Sequence, residues 1–200
     1  MKKPIGIVRS YEVRDVTCRT LIRSLPVRLL LPGLWIPIGD LNYNDFMKEG
    51  SSAVAQLLAG SNQYRLRGMY IEFDNAGGTI SPPTYSREEG RSYYDSLSGH
   101  PTRDYLRVSL DSVVTAISDE AFPVGNQVQA FAQTTGTVGV HGKAFSAGAG
   151  SVVFGGALVA MPDDGDYTQD LIVDRFYYSA GKQRTKGDSA VGLQWEMTFN

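Results

Sequence analysis

VGLQWEMTFN, residues 191–200, alternates without a break. Val191, Leu193, Trp195, Met197 and Phe199 share one parity, and Gly192, Gln194, Glu196, Thr198 and Asn200 the other. Successive side chains of a β-strand point to opposite faces, so this pattern spells a half-buried strand. DYLRVSLD repeats the logic, with Leu106, Val108 and Leu110 set against Tyr105, Arg107 and Ser109. GALVAMP at 156–162 is apolar on both parities, as a strand covered on both sides would be. DLIVDRFYY at 170–178, NQVQAFAQT at 126–134 and DSVVTAIS at 111–118 are further candidates, and Val13 to Leu31 supplies one or two more, interrupted near Pro26. Regular strand–helix alternation, which a parallel α/β sheet needs, is absent. The 22 glycines suit many turns. The expected fold is all-β: an antiparallel β-sandwich, jelly-roll-like or Greek-key.

One short helix is expected near 51–59, in SSAVAQLLAG. A serine can cap its start, Val54, Leu57 and Leu58 form a short apolar stripe, and Gly60 sits where a left-handed C-terminal cap belongs. DFMKEG just before it could add a turn, with Gly50 weakening the continuity.

YRLRGMYIEFDN, 64–75, changes parity in the middle of a strand. Met69, Ile71 and Phe73 share a face, yet Leu66 lies on the opposite parity. One extra residue would return Leu66 to the same face, and glycine tolerates the backbone conformation required, so a β-bulge is expected near Gly68. A strand simply ending at Arg67 is the competing explanation.

Charge is unevenly spread. The net charge is −2, but residues 1–31 hold seven basic residues, among them Arg9 and Arg14, against two acidic ones. This stretch is read as an extended N-terminal arm that packs on the body of its own chain or on a neighbour, with 32–200 as a single β-sandwich domain. A nucleic-acid arm is the weaker reading, because the arginines alternate with aliphatics and the rest of the chain is acidic. Cys18 is the only cysteine, so no intramolecular disulfide can form. The N-terminus lacks the apolar core of a signal peptide, and LPVRLLLPGLWIPIG at 25–39 carries Arg28 and three prolines, which rules out a spanning helix there. A soluble chain with no membrane partner is expected.

No constellation points to catalysis, and no enzyme activity is expected. His100 and His141 lie in no HExxH pattern and at no metal-ligand spacing with Cys18. A hydrolase would need a cleft joining one of them to a paired carboxylate or a serine. The glycines of 136–156 match neither a phosphate loop nor a dinucleotide fingerprint and read as hairpin loops and close sheet packing. PDDGDYTQD at 162–170 reads as a surface turn, its spacing being wrong for a calcium loop. No catalytic residue, cofactor or metal is assigned.

The irregular stretch 79–104 is too long and polar for a routine hairpin loop. Tyr85, Tyr93 and Tyr94 lie among serines, glycines and charges, a composition that suits recognition. The same tyrosines would equally serve an insertion folded over its own sandwich, and both readings stay open. A glycan-binding module, with Tyr93 and Tyr94 against a host sugar, is the alternative function.

The strings YRLRGMYIEFDN, SYYDSLSGHPTRDYLRVSL and DLIVDRFYY followed by VGLQWEMTF resemble small β-rich structural proteins of tailed bacteriophage virions. The resemblance implies assembly, as a component of the head, the head–tail junction or the tail and its fibre attachments. It implies synthesis in the host bacterial cytoplasm, residence in the virion, other virion proteins as partners and homo-oligomers within the particle. Arg9, Arg14, Tyr85, Tyr93 and Tyr94 are the expected partner contacts.

Overall fold

The structure, a computed structural model, describes residues 16–24, 36–37, 42–43, 45–61, 63–81, 83–84, 86–116, 126–134, 138–147, 150–178, 180, 182–187 and 191–199. Arg9, Arg14 and Tyr85 lie outside the described residues. The elements in chain order are β1 (Val16–Ser24), β2 (Ile36–Pro37), β3 (Asn42–Tyr43), β4 (Asp45–Phe46), α1 (Lys48–Leu58), β5 (Tyr64–Asp74), α2 (Gly90–Ser96), β6 (Arg103–Ser109), β7 (Ser112–Ala116), β8 (Asn126–Thr134), β9 (Val152–Pro162), β10 (Leu171–Tyr177), β11 (Arg184–Thr185) and β12 (Val191–Phe199). Every described strand pairing is antiparallel.

The strands form two sheets. The first runs β2-β1-β12-β8-β7, with β3 also on β1; the second runs β4-β10-β9-β5-β6, with β11 also on β9. Strand β1 falls within the stretch read as an arm, yet it pairs from Val16 to Ser24 with β12 of its own chain. Those nine residues are part of the body.

One apolar cluster joins the sheets. Met69, Ile71, Phe73, Leu106, Leu158, Val173 and Phe176 come from the second sheet, and Ala130, Ala132, Leu193 and Trp195 from the first. The alternation of β12 thus turns Leu193 and Trp195 inward, and both are fully buried. Strand β9 is buried along its whole length, because its other parity (Ala157, Val159 and Met161) sits in a second cluster with Tyr70, Tyr94 and Tyr105. That second cluster lies under α2 and the loop around Val140, so both faces of the second sheet are covered.

At the parity change in β5, the register against β9 shifts between Leu66 and Gly68, leaving Arg67 as the extra residue. Leu66 packs against the inter-sheet cluster with Met69, Ile71 and Phe73. The part played by Gly68 differs from the expectation. Its φ is not positive, and a side chain there would collide with the end of Met161, so the glycine provides space and not a special backbone conformation.

Helix α1 starts at Lys48, earlier than its apolar stripe suggested, and Ser51 lies inside it. Gly50 does not interrupt it. A Cβ at Gly50 would strike the backbone of Val173, so the glycine lets the helix rest directly on β10. The far end closes as expected on Gly60, with φ at 84°. The Ser61 amide donates to Gln56 and the Gly60 amide to Leu57, the paired bonds of a Schellman cap.

Candidate functional site

Strands β5 and β6 are neighbours in the sheet, and the chain between them makes a long excursion over the sheet's outer face. A second short helix, α2, forms there. Glu49 of α1 secures it: one carboxylate oxygen accepts from the Arg91 amide at 2.7 Å, and the other from the Ile172 amide of β10 at 2.8 Å. Gly90 leaves room for that carboxylate.

Tyr93 and Tyr94 project from α2 onto Glu72 of β5. The Tyr94 hydroxyl donates to Glu72 Oε1 at 2.6 Å and the Tyr93 hydroxyl to Oε2 at 3.2 Å. Arg175 of β10 donates from Nε to the same carboxylate at 3.4 Å. Its guanidinium carbon lies 3.6 Å from the Tyr93 ring centroid, 4.7 Å from that of Tyr177 and 4.9 Å from that of Tyr94. Glu72 and Arg175 are both fully buried, so the cation is held by one carboxylate and a cage of three rings. Burial pushes the Glu72 carboxyl above the ordinary carboxylate range, against the pull of Arg175 and the two hydroxyls. Burial also pushes the Tyr94 hydroxyl well up. As a partner contact Tyr94 is corrected: it has no exposed surface for protein or glycan, because α2 turns it inward. Tyr93 is half-buried, with Arg175 against its ring.

A second polar constellation lies alongside. Asp170 accepts from the Tyr70 hydroxyl at 2.5 Å and takes two bonds from Arg107, at 2.7 and 2.8 Å. Arg91 of α2 donates to the Tyr70 hydroxyl at 2.8 Å and grips Asp95 one turn on. Burial, then the Asp170 charge, push the Tyr70 hydroxyl far above its usual range.

The two histidines lie by β6, and the His141 ring meets Tyr105, which packs on Tyr70 and Tyr94. His141 Nδ1 lies 2.9 Å from Asp104 Oδ1, and the buried Asp104 carboxylate also accepts from the amides of Tyr105, His141 and Lys143. The turn at 139–142 is thereby fastened to β6, and Gly139 gives the carboxylate its room. His100 Nδ1 accepts from the amides of Thr102 and Arg103 at the entry to β6. In the 162–170 turn, Asp164 and Asp166 accept from amides within the turn, Asp163 pairs with Arg67 at 2.5 Å, and Gly165 supplies a positive φ.

Asp74 yields a pH prediction. Burial raises its carboxyl, but bonds from the Ala76 amide and Arg103, with Thr102 adding to them, outweigh this and hold it below the usual range. The folded state therefore favours the ionised form, and its contribution is present above about pH 4 and lost as pH falls through the lowered folded value. The stability gap between the wild type and Asp74→Asn, read from urea midpoints, is expected to close as pH is lowered from neutrality towards 2. A gap independent of pH would contradict it.

The outer face of α1 is built differently. Ala53 packs on the inter-sheet cluster, while Val54, Leu57 and Leu58 are 37%, 63% and 83% exposed. Beside them runs a groove of about 350 Å³, lined by Val54, Leu57, Leu66, Val113 and Val173 together with Tyr64 and Arg65. Val113 of β7 is itself 44% exposed. From residue 51 to residue 64 the chain carries no charged side chain. An adjoining hollow shares Tyr64 and is lined by Asp163 and Asp164. The apolar stripe of Val54, Leu57 and Leu58 that marks the helix in the sequence lies outside, and the Gly50 and Ala53 side packs on the sheet. No family model, curated protein or solved structure matches the chain.

Proposed function

We propose that this chain is a structural component of a tailed-bacteriophage virion, in the head, the head–tail junction or the tail and its fibre attachments, and that it acts through subunit contacts. On this reading the two antiparallel sheets form a sandwich of jelly-roll-like or Greek-key kind that serves as a platform. The partners are other virion proteins and further copies of the chain; nucleic acid is not among them. The chain is not an enzyme on this reading.

One observation carries the reading. The buried polar groups of the second sheet are turned on one another, while the α1 surface presents uncharged aliphatic side chains to solvent. A contiguous apolar surface of that kind is a mark of an interaction site. The sequence resemblance supplies the particle. Mass spectrometry and imaging of purified virions of the encoding phage test it: the chain is expected at fixed stoichiometry with subunits against it. Its absence from washed particles would end the proposal.

A further inference from the structure

We infer that the α1 face is where two copies of this chain meet about a two-fold axis. The inference rests on the assembly reading and gives it a surface.

A two-fold contact places one patch against itself, so the patch must be self-complementary. This one is. Leu58, in the last turn of α1, is the most exposed large apolar side chain among the described residues, and Leu57 before it, 63% exposed, lines an apolar groove of about 350 Å³. A projection beside a hollow lets each copy fill the other. Charge is arranged in the same way. Arg65 stands exposed on one side of Tyr64, and Asp164 is exposed in the hollow on the other. A two-fold axis near Tyr64 brings the cation of each copy towards the anion of its mate, and the run 51–64 carries no charge to oppose its own image. A mainly aliphatic patch with few charges has the composition of a protein interface.

Sedimentation of the full chain, from low-micromolar to about 100 µM, tests this. The wild type is expected to pass from monomer to dimer. Leu58→Glu, at a surface position, is expected to melt like the wild type and to dimerise at least about 30-fold more weakly. Arg65→Glu and Asp164→Arg are each expected to weaken the dimer by about fivefold, and the double variant to recover most of the loss. That charge swap keeps the test decisive even if Leu58→Glu disturbs folding. A wild type that stays monomeric overturns the inference, as does a dimer indifferent to all three changes. So does a monomer that carries an apolar small molecule in native mass spectrometry. The two readings fail separately: a monomeric chain found in virions sinks only the interface, and an α1-dependent dimer absent from virions sinks only the particle.

Discussion

Trp195→Ala is expected to cost about 3–5 kcal/mol of folding stability. Trp195 is fully buried on β12, yet its contacts reach across to the other sheet. Its ring meets Phe176 of β10 edge-on at 5.2 Å, and its indole N–H donates to the Asp174 carboxylate. Truncation removes a large apolar volume from the cluster that joins the sheets and also takes a donor from a buried acid. Trp195→Phe keeps most of the volume and loses the donor, so it should cost less, roughly 2 kcal/mol. Against a typical total of about 5–15 kcal/mol, the alanine variant is left marginal. Urea denaturation followed by circular dichroism measures both, and equal midpoints for wild type and Trp195→Ala would show that the sheets do not depend on this contact.

Arg175→Ala is expected to be comparably damaging, again about 3–5 kcal/mol, for an electrostatic reason. Glu72 has no exposed surface, and Arg175 is the cation that faces it. Removing the cation leaves a buried carboxylate with two tyrosine hydroxyls, and it empties the space enclosed by Tyr93, Tyr94 and Tyr177. Replacing both charges, as Glu72→Gln with Arg175→Met, should regain most of the loss, since a buried pair contributes little beyond what a well-packed neutral substitute gives. A double variant as unstable as the single one would mean that packing of the guanidinium in its cage outweighs charge balance. The hydrogen-exchange protection of α2 should fall in step with the single variant, because the helix is held over the sheet through the same tyrosines.

The strands were legible because alternation is a local signal. In β12 and β6 the parity of Leu193 or Leu106 announces its face with no knowledge of the partner strand, and in β9 apolar residues on both parities announce two covered faces. The bulge in β5 could be read for the same reason, since a one-residue slip is visible wherever one face is apolar. Helix α2 was not legible. GRSYYDS has no apolar period, and its helical form depends on Glu49, distant in sequence, binding the Arg91 amide. Tyr93 and Tyr94 therefore left partner contact and packing on their own sheet equally open in the sequence; in the structure Tyr94 is buried and Tyr93 half-buried. The ion pair between Glu72 and Arg175, like that between Asp170 and Arg107, joins residues far apart in the chain, and neither partner carries a local mark. The facing of α1 was not legible, because a stripe of Val54, Leu57 and Leu58 on a helix ordinarily faces a core. Direct contact of Gly50 with the Val173 backbone rotates that stripe outward instead.

Strands β1 and β12 are adjacent, with Val16 opposite Phe199 and Ser24 opposite Val191. Strand β1 ends at residue 24 and β12 begins at residue 191, so β1 leaves the ribosome well before its neighbour is made. Until then β1 lacks the strand that pairs with it along its whole length, and the β1–β12 pairing forms only after β12 has been made. That delay sets a window in which unfinished chains can pair with one another's open edges.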